Sequence, residues 1–399
     1  MDQAMADAAG ILGFDPFDPA FRSDPYPRYP APGPLLRTPV GLWVTSSYAL
    51  CERALRDPAF GHGGADGESW RSGPARRRSF LTMDPPDHTR LRRLVSKAFT
   101  PRLVERLRPR VTALVDDLLA AAHGSTDLIA ALAYPLPVVV ISELLGVPPE
   151  DHERFKAWSD ALARGLDPDF LLPADELARR DEARAEFAAY FRELAARRRA
   201  EPRDDLLSAL VAVSDGGDAL SEEELLGTCI LLLVAGHETT VNLIGNGALA
   251  LLRNPDQLAR FRARPDGVAA AVEELLRYDP PVQLTLRTAL TDTDLGGTPL
   301  RRGSLVLLLT GRANRDPAAF ADPDRLDLAR YADGTHAARH LSFGQGIHYC
   351  LGAPLARLEG QVALAKLFER DVRLSPEPLT YRDNLVLRGL SSLPVTLDD

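Results

Sequence analysis

From Ser221 to Arg253 the chain keeps a helical pattern of apolar residues, and a rod of that length governs what can be built around it. Ser221-Glu-Glu-Glu224 is a capping-box start, in which hydroxyl and carboxylate satisfy N–H groups that the first turn leaves unpaired. Asn254-Pro255 ends the run, because proline disfavours helical backbone in the residue before it. At about 1.5 Å per residue the helix extends roughly 48 Å, long enough to cross a whole domain.

The rest of the chain follows that lead. From His88 to about Pro265 the sequence is rich in Leu and Ala with helical periodicity, broken by Pro or Gly pairs. Strand-like runs come at Leu42–Thr45, at Ser304–Thr310 and within Leu385–Leu397, each short. A helix is expected from Ser47 onward, and a polar glycine-rich loop over Gly61–Gly73. The proline-rich opening, Asp15-Pro-Phe-Asp-Pro and Asp24-Pro-Tyr-Pro-Arg-Tyr-Pro, predicts an extended wrap over residues 1–40 rather than helix. The expectation is mainly α with small β-sheets (α+β), one domain over residues 1–399.

Composition narrows the function. A net charge of -9 makes nucleic acid an unfavourable partner. The three cysteines, Cys51, Cys229 and Cys350, show no paired spacing, as expected of a reducing cytoplasm. Met1–Gly10 lacks a basic region and an apolar core, so no signal peptide is read there. The longest apolar stretches, such as Cys229–Gly236, are too short for a bilayer, and no membrane role is expected.

Two segments carry chemistry. Within the long helix, Ala235-Gly-His-Glu-Thr-Thr240 sets an acid beside a hydroxyl, which is locally unfavourable because Glu238 has to be desolvated. Glu238 and Thr239 are either a notch that organises water and moves protons, or a polar face on a half-exposed helix. Farther on, Phe343-Gly-Gln-Gly-Ile-His-Tyr-Cys-Leu-Gly352 surrounds one thiol with glycines. A thiolate that binds a metal needs backbone N–H groups turned toward sulfur, and glycine best tolerates the tight turns this requires. Ala-Pro-Leu-Ala-Arg-Leu-Glu then opens a helix with Pro354 in its first turn, so Cys350 lies near a helix N-terminus that favours a charged sulfur. A zinc site from Cys350, His348 and His340 has no second Cys or His pair of the usual spacing.

The cysteine segment closely resembles the haem-binding loop of the cytochrome P450 superfamily, soluble bacterial type, and the helix segment resembles that family's oxygen-activation motif. Glu274-Leu-Leu-Arg277 followed by Tyr278-Asp-Pro-Pro281, and Ala313-Asn-Arg-Asp-Pro317, are similar to further family segments in the same order. The resemblance spans about Phe14 to Leu397. It implies the cytochrome P450 fold, with haem b between the long helix and the cysteine loop, and Cys350 as the thiolate ligand of iron. It implies propionate partners at His88, Arg92, Arg287 and His348, and proton relay by Glu238 and Thr239. Glu274 and Arg277 would stabilise the fold, with Arg325 of Pro323-Asp-Arg-Leu326 as third partner, although Leu326 stands where the family has Phe. His340 would fix the loop.

The implied activity is haem-thiolate monooxygenation, hydroxylating or epoxidising an apolar small molecule such as a macrolide or other polyketide. Electrons would come from NAD(P)H through a ferredoxin reductase and a ferredoxin, because no Gly-x-Gly-x-x-Gly follows a strand here. The basic run from His88 to Arg110, with Glu105 its one acid, suggests a docking surface for that acidic partner or else a solvated helix face. The alternatives are a peroxide-driven peroxygenase and a non-catalytic haem-binding protein, and the Glu238-Thr239 pair argues against both. The pocket is expected to draw on the 61–80 loop, residues 160–182, Leu231, Val234 and Ala235, Val282–Leu286 and Leu390–Leu393. A monomer is expected.

Overall fold

The principal helices are α1 (Asp87–Ala98), α2 (Arg108–Ala120), α3 (Pro135–Leu144), α4 (His152–Ala163), α5 (Ala174–Ala200), α6 (Glu222–Arg253), α7 (Val268–Tyr278) and α8 (Ala353–Leu367). They belong to a computed structural model that describes residues 11–398 apart from 17, 64–78, 168, 170, 171, 216 and 333–336. Most of the glycine-rich 61–73 segment therefore lies outside the described residues.

Helix α6 is the axis of the fold, packed against α3, α4, α5, α7 and α8. Its start is the expected capping box: Glu224 N donates to Ser221 Oγ at 3.2 Å while Ser221 N donates to Glu224 Oε2 at 2.9 Å. By length and apolar composition α6 could cross a membrane, contrary to the expectation that no segment could. However, 78% of its most apolar window is buried inside the fold, so burial against other helices explains its composition.

The sheets are small. Strands β1 (Leu36–Arg37), β2 (Trp43–Thr45), β3 (Phe60–Gly61), β5 (Thr285–Ala289) and β6 (Leu305–Leu308) form one sheet, in the order β1-β2-β6-β5-β3. There Val306 faces Arg287 on the antiparallel side, and Leu307 faces Val44 on the parallel side. A second sheet, ordered β7-β10-β4, joins Asp371–Leu374 (β7), Pro394–Asp398 (β10) and Gly124–Asp127 (β4). Thr380–Tyr381 (β8) pairs with Leu390–Ser392 (β9). The strand-like run ending at Leu397 is thus split. At the break, Leu393 N donates to Asp127 Oδ1 at 2.8 Å, so its amide serves a side chain rather than a ladder.

One expectation for the N-terminal wrap fails. Pro19–Ser23 is a short helix, because Asp18 caps it by accepting from Ala20 N at 2.8 Å and Pro19 fits its first turn. The wrap buries apolar residues as well: Phe14, Phe21 and Tyr29 form an aromatic cluster with centroids 5.0–5.3 Å apart.

Candidate active site

The cysteine loop is shaped by its glycines and held by α7. Gly344 and Gly346 adopt φ of 64° and 68°, and a Cβ on Gly346 would lie 2.4 Å from the Leu55 carbonyl oxygen, so no other residue fits there. Cys350 N donates to Phe343 O at 2.9 Å, closing the loop just before α8 begins. Glu273 on α7 fastens both ends. It accepts from Arg357 of α8 at 2.6 and 2.8 Å, and it pairs with His340 Nε2 at 3.1 Å. Because Ser342 N donates to His340 Nδ1 at 3.3 Å, the ring proton sits on Nε2 and His340 is the donor to Glu273. Although burial opposes it, these hydrogen bonds hold the Glu273 carboxyl down at about 2.

The neighbouring residue, Glu274, anchors a fully buried cluster. Arg277 donates to both its oxygens, at 2.7 and 2.8 Å, and neither side chain is exposed. The third charged partner is Arg330, with Nε 3.1 Å from Glu274 Oε2, and not Arg325. Only the backbone carbonyl of Arg325 takes part, accepting from Arg277 Nη2 at 3.1 Å, while its side chain is exposed. The Pro-x-Arg spacing pointed at the wrong arginine because Arg277 reads that segment through carbonyl oxygens, from Pro323 as well as Arg325.

The thiol fits a metal ligand. Burial raises the pKa of Cys350, but N–H groups of Gly352 and Ala353 and the guanidinium groups of Arg92 and Arg357 favour its ionised form. Cys51 and Cys229 are fully buried, and burial alone pushes Cys229 up to about 12. Beside Cys350 the structure gathers the four expected propionate partners. His88 and His348 have ring centroids 4.2 Å apart, and Arg92 donates to the carbonyl of Tyr349. Arg287 is buried on β5 and acts on His348 through its charge. Burial, Arg287, His88 and Arg92 together push His348 down to about 3.

Both ring nitrogens of His88 and Nε2 of His348 are buried without a hydrogen-bond partner. A cluster of basic groups with orphaned buried nitrogens calls for an anionic acceptor, and two carboxylates of a haem supply it. The chain fits the group.

The helix motif is a polar notch. Thr239 Oγ1 donates to the Ala235 carbonyl at 2.7 Å and Thr240 Oγ1 to that of Gly236 at 3.2 Å, so two consecutive hydroxyls bond back into the helix. Leu231, Ala235 and Thr239 share one face at helical spacing, and Ala235 is exposed in mid-helix. Glu238 is 3% exposed and accepts from Arg382 Nη1 at 2.9 Å. Burial raises its pKa and Arg382 opposes the rise. Neither Arg382 nor the Glu273–Arg357 pair was marked in the sequence, because the partners lie 144 and 84 residues apart.

Much of the basic run is paired internally. Arg90 binds Asp218 and Glu224, Arg108 binds Glu105, and Arg110 binds Glu143. Arg93 and Lys97 are exposed on α1, as are Asp87 and Thr89.

Comparison with known proteins agrees with this geometry. The cytochrome P450 family model matches residues 39–264 and 267–384. The chain is 45% identical over 411 residues to cytochrome P450 monooxygenase PikC of Streptomyces venezuelae, covering 97% of this chain and 93% of that protein. It is 43% identical over 412 residues to the vitamin D(3) 25-hydroxylase of Pseudonocardia autotrophica, covering 97% of each. The solved structure of the bacillaene polyketide synthase cytochrome P450 PksS of Bacillus subtilis 168 superposes with a TM-score of 0.86 at 37% identity, covering 97% of this chain and 100% of that one. The chain belongs to the cytochrome P450 family, and it is an oxidoreductase, a monooxygenase whose cofactor is a cysteine-ligated haem.

Proposed function

We propose that this chain hydroxylates or epoxidises a bulky apolar secondary metabolite of the polyketide class, as a single catalytic domain. Cys350 is the haem ligand in this reading, and His88, Arg92, Arg287 and His348 receive the propionates. The haem supplies the redox chemistry on dioxygen when bound. The chain's own part is to place an apolar face of α6 toward substrate and to carry protons at Glu238 and Thr239.

The observation that carries the reading is the notch: a buried carboxylate beside a hydroxyl on the same helix that presents Leu231 and Ala235. A protein that only stored haem would have no use for it. A polyketide substrate is supported by the names of similar proteins and by the aliphatic character of the expected pocket residues. Electrons come from a ferredoxin and its NAD(P)H-dependent reductase. The docking face is the exposed side of α1 with Arg93 and Lys97; α1 meets the cysteine loop through the Arg92 bond to the Tyr349 carbonyl, and Ile347 of that loop is 50% exposed.

The test begins with the carbon monoxide difference spectrum of the reduced protein, where a strongly red-shifted Soret band is expected. Macrolide aglycones and secosteroids are then titrated against the ferric form. Spectral shifts with macrolides support the proposal, and shifts with secosteroids alone refute the polyketide assignment.

A further inference from the structure

Glu238 has a neighbour that no motif marks. Asp160 on α4, His237 and Glu238 each offer a side-chain atom, and these atoms lie within 4.8 Å of one another. Asp160 is exposed, whereas Glu238 is 3% exposed. A gap no wider than 4.8 Å between a solvent-facing and a buried carboxylate is short enough for a single water to bridge.

The charged and titratable groups facing the pair come from four elements. From the residue after β8, Arg382 donates to Glu238 Oε1 at 2.9 Å. From α4 come Asp160 and Lys156, the latter acting on Asp160 and His237 through its charge. From the residue before α3, the Tyr134 hydroxyl donates to Asp160 Oδ1 at 2.6 Å. From α6, His237 shares a 2.6 Å hydrogen bond with Ser159 through Nδ1, and its Nε2 is buried without a partner. Burial, Arg382 and Lys156 hold His237 down at about 3, so it stays neutral. Burial raises both acids, with Arg382 opposing at each. The three groups are close enough to hold a metal ion, but the two cations beside them oppose one. Proton traffic between the acids is what their charges favour.

We propose that Asp160 is the solvent-facing carboxylate that returns protons to Glu238, with Arg382 positioning Glu238 to receive them. This rests on the reading of Glu238 as a proton carrier. A proton from bulk water goes to Asp160, passes through one bridging water to Glu238, and leaves Glu238 toward the Thr239 notch. Both carboxylates are then restored, one proton has moved inward, and no electrons have moved. Arg382 favours the ionised acid between deliveries.

The test uses the holoenzyme with Glu238→Gln, Asp160→Asn, Asp160→Glu and Arg382→Gln. Infrared titration of the ferric protein identifies the Glu238 carboxyl band as the one lost in Glu238→Gln. Its midpoint pH should fall in Asp160→Asn, which removes a like charge, and rise in Arg382→Gln, which removes the opposite one. In turnover, Asp160→Asn should slow product formation roughly tenfold, short of the ~100-fold or more of a directly reacting acid. The solvent deuterium isotope effect should rise with it, and Asp160→Glu should restore both. An unmoved midpoint and isotope effect in Asp160→Asn, while Glu238→Gln uncouples turnover, overturns this inference alone. Unchanged coupling in Glu238→Gln removes the proton-carrier reading and this inference with it.

Discussion

Replacing Glu274 with alanine removes the counter-charge of a guanidinium that has no access to water. Both side chains of the Glu274–Arg277 pair are 0% exposed. The variant strips Arg277 of its 2.7 and 2.8 Å bonds, frees Arg330 Nε, and leaves Asp327 N without the Glu274 Oε1 acceptor at 2.9 Å. Arg277 keeps the carbonyls of Asn314, Pro323 and Arg325, which solvate its charge only in part. Removing one partner of a buried pair costs about 3–5 kcal/mol, and the orphaned amide adds ~1 kcal/mol or more. With an m-value near ~3 kcal/mol/M, a loss of that size moves the urea midpoint down by about 1 M or more.

The control decides the reasoning. Arg330→Ala, which leaves Glu274 paired with Arg277, should cost about 2 kcal/mol. Arg325→Ala, which alters only an exposed side chain, should stay within about 0.5 kcal/mol. Urea unfolding followed by tryptophan fluorescence measures all three. A Glu274→Ala loss under ~1 kcal/mol, or an Arg325→Ala loss equal to that of Arg330→Ala, refutes the account.

Thr239→Ala should keep haem but divert NAD(P)H consumption into peroxide, which a peroxide assay during turnover measures; unchanged coupling would remove Thr239 from the relay. Cys350→His should retain some haem yet lose the thiolate spectrum and most activity, as read from the reduced carbon monoxide complex. Arg92→Ala should weaken haem retention, measured by transfer to apomyoglobin, because it removes both the propionate partner proposed above and the bond to the Tyr349 carbonyl. Glu273 is held at about 2 against an ordinary value of 4.5, so its contribution of about 3 kcal/mol is complete above pH 4.5 and is lost as pH falls toward 2. Glu273→Gln should therefore flatten the loss of denaturant stability between neutral pH and pH 3.

What the sequence made legible was local. The α6 capping box depends on residues three apart, and the glycines around Cys350 announce their own turns. The short helix Pro19–Ser23 was missed because prolines that mark extended chain also suit a first helical turn, and only the Asp18 cap distinguishes the two. Arg330, Arg357 and Arg382 were missed for a different reason. Each is one arginine among many, and its meaning lies in a carboxylate far along the chain that only the tertiary fold brings near. Asp160 carries no local signal at all, since the role proposed for it depends on α4 packing against α6.

Strand β4 has a consequence for how the molecule is made. Its residues Gly124–Asp127 pair with Leu397–Pro394 of β10, far along the chain, with Val395 opposite Thr126. Closing a loop of that length costs on the order of 5 kcal/mol, and during synthesis the partner does not exist until Pro394–Asp398 has been made. A nascent chain already carrying all the helices still exposes β4 as an open edge, and Leu393 has yet to reach Asp127. A ribosome stalled short of Pro394 would hold an intermediate in which β4 has no β10 to pair with. Chaperone demand and inclusion-body formation should therefore track the codons for Leu393–Asp398 more closely than those of the helical bulk that precedes them.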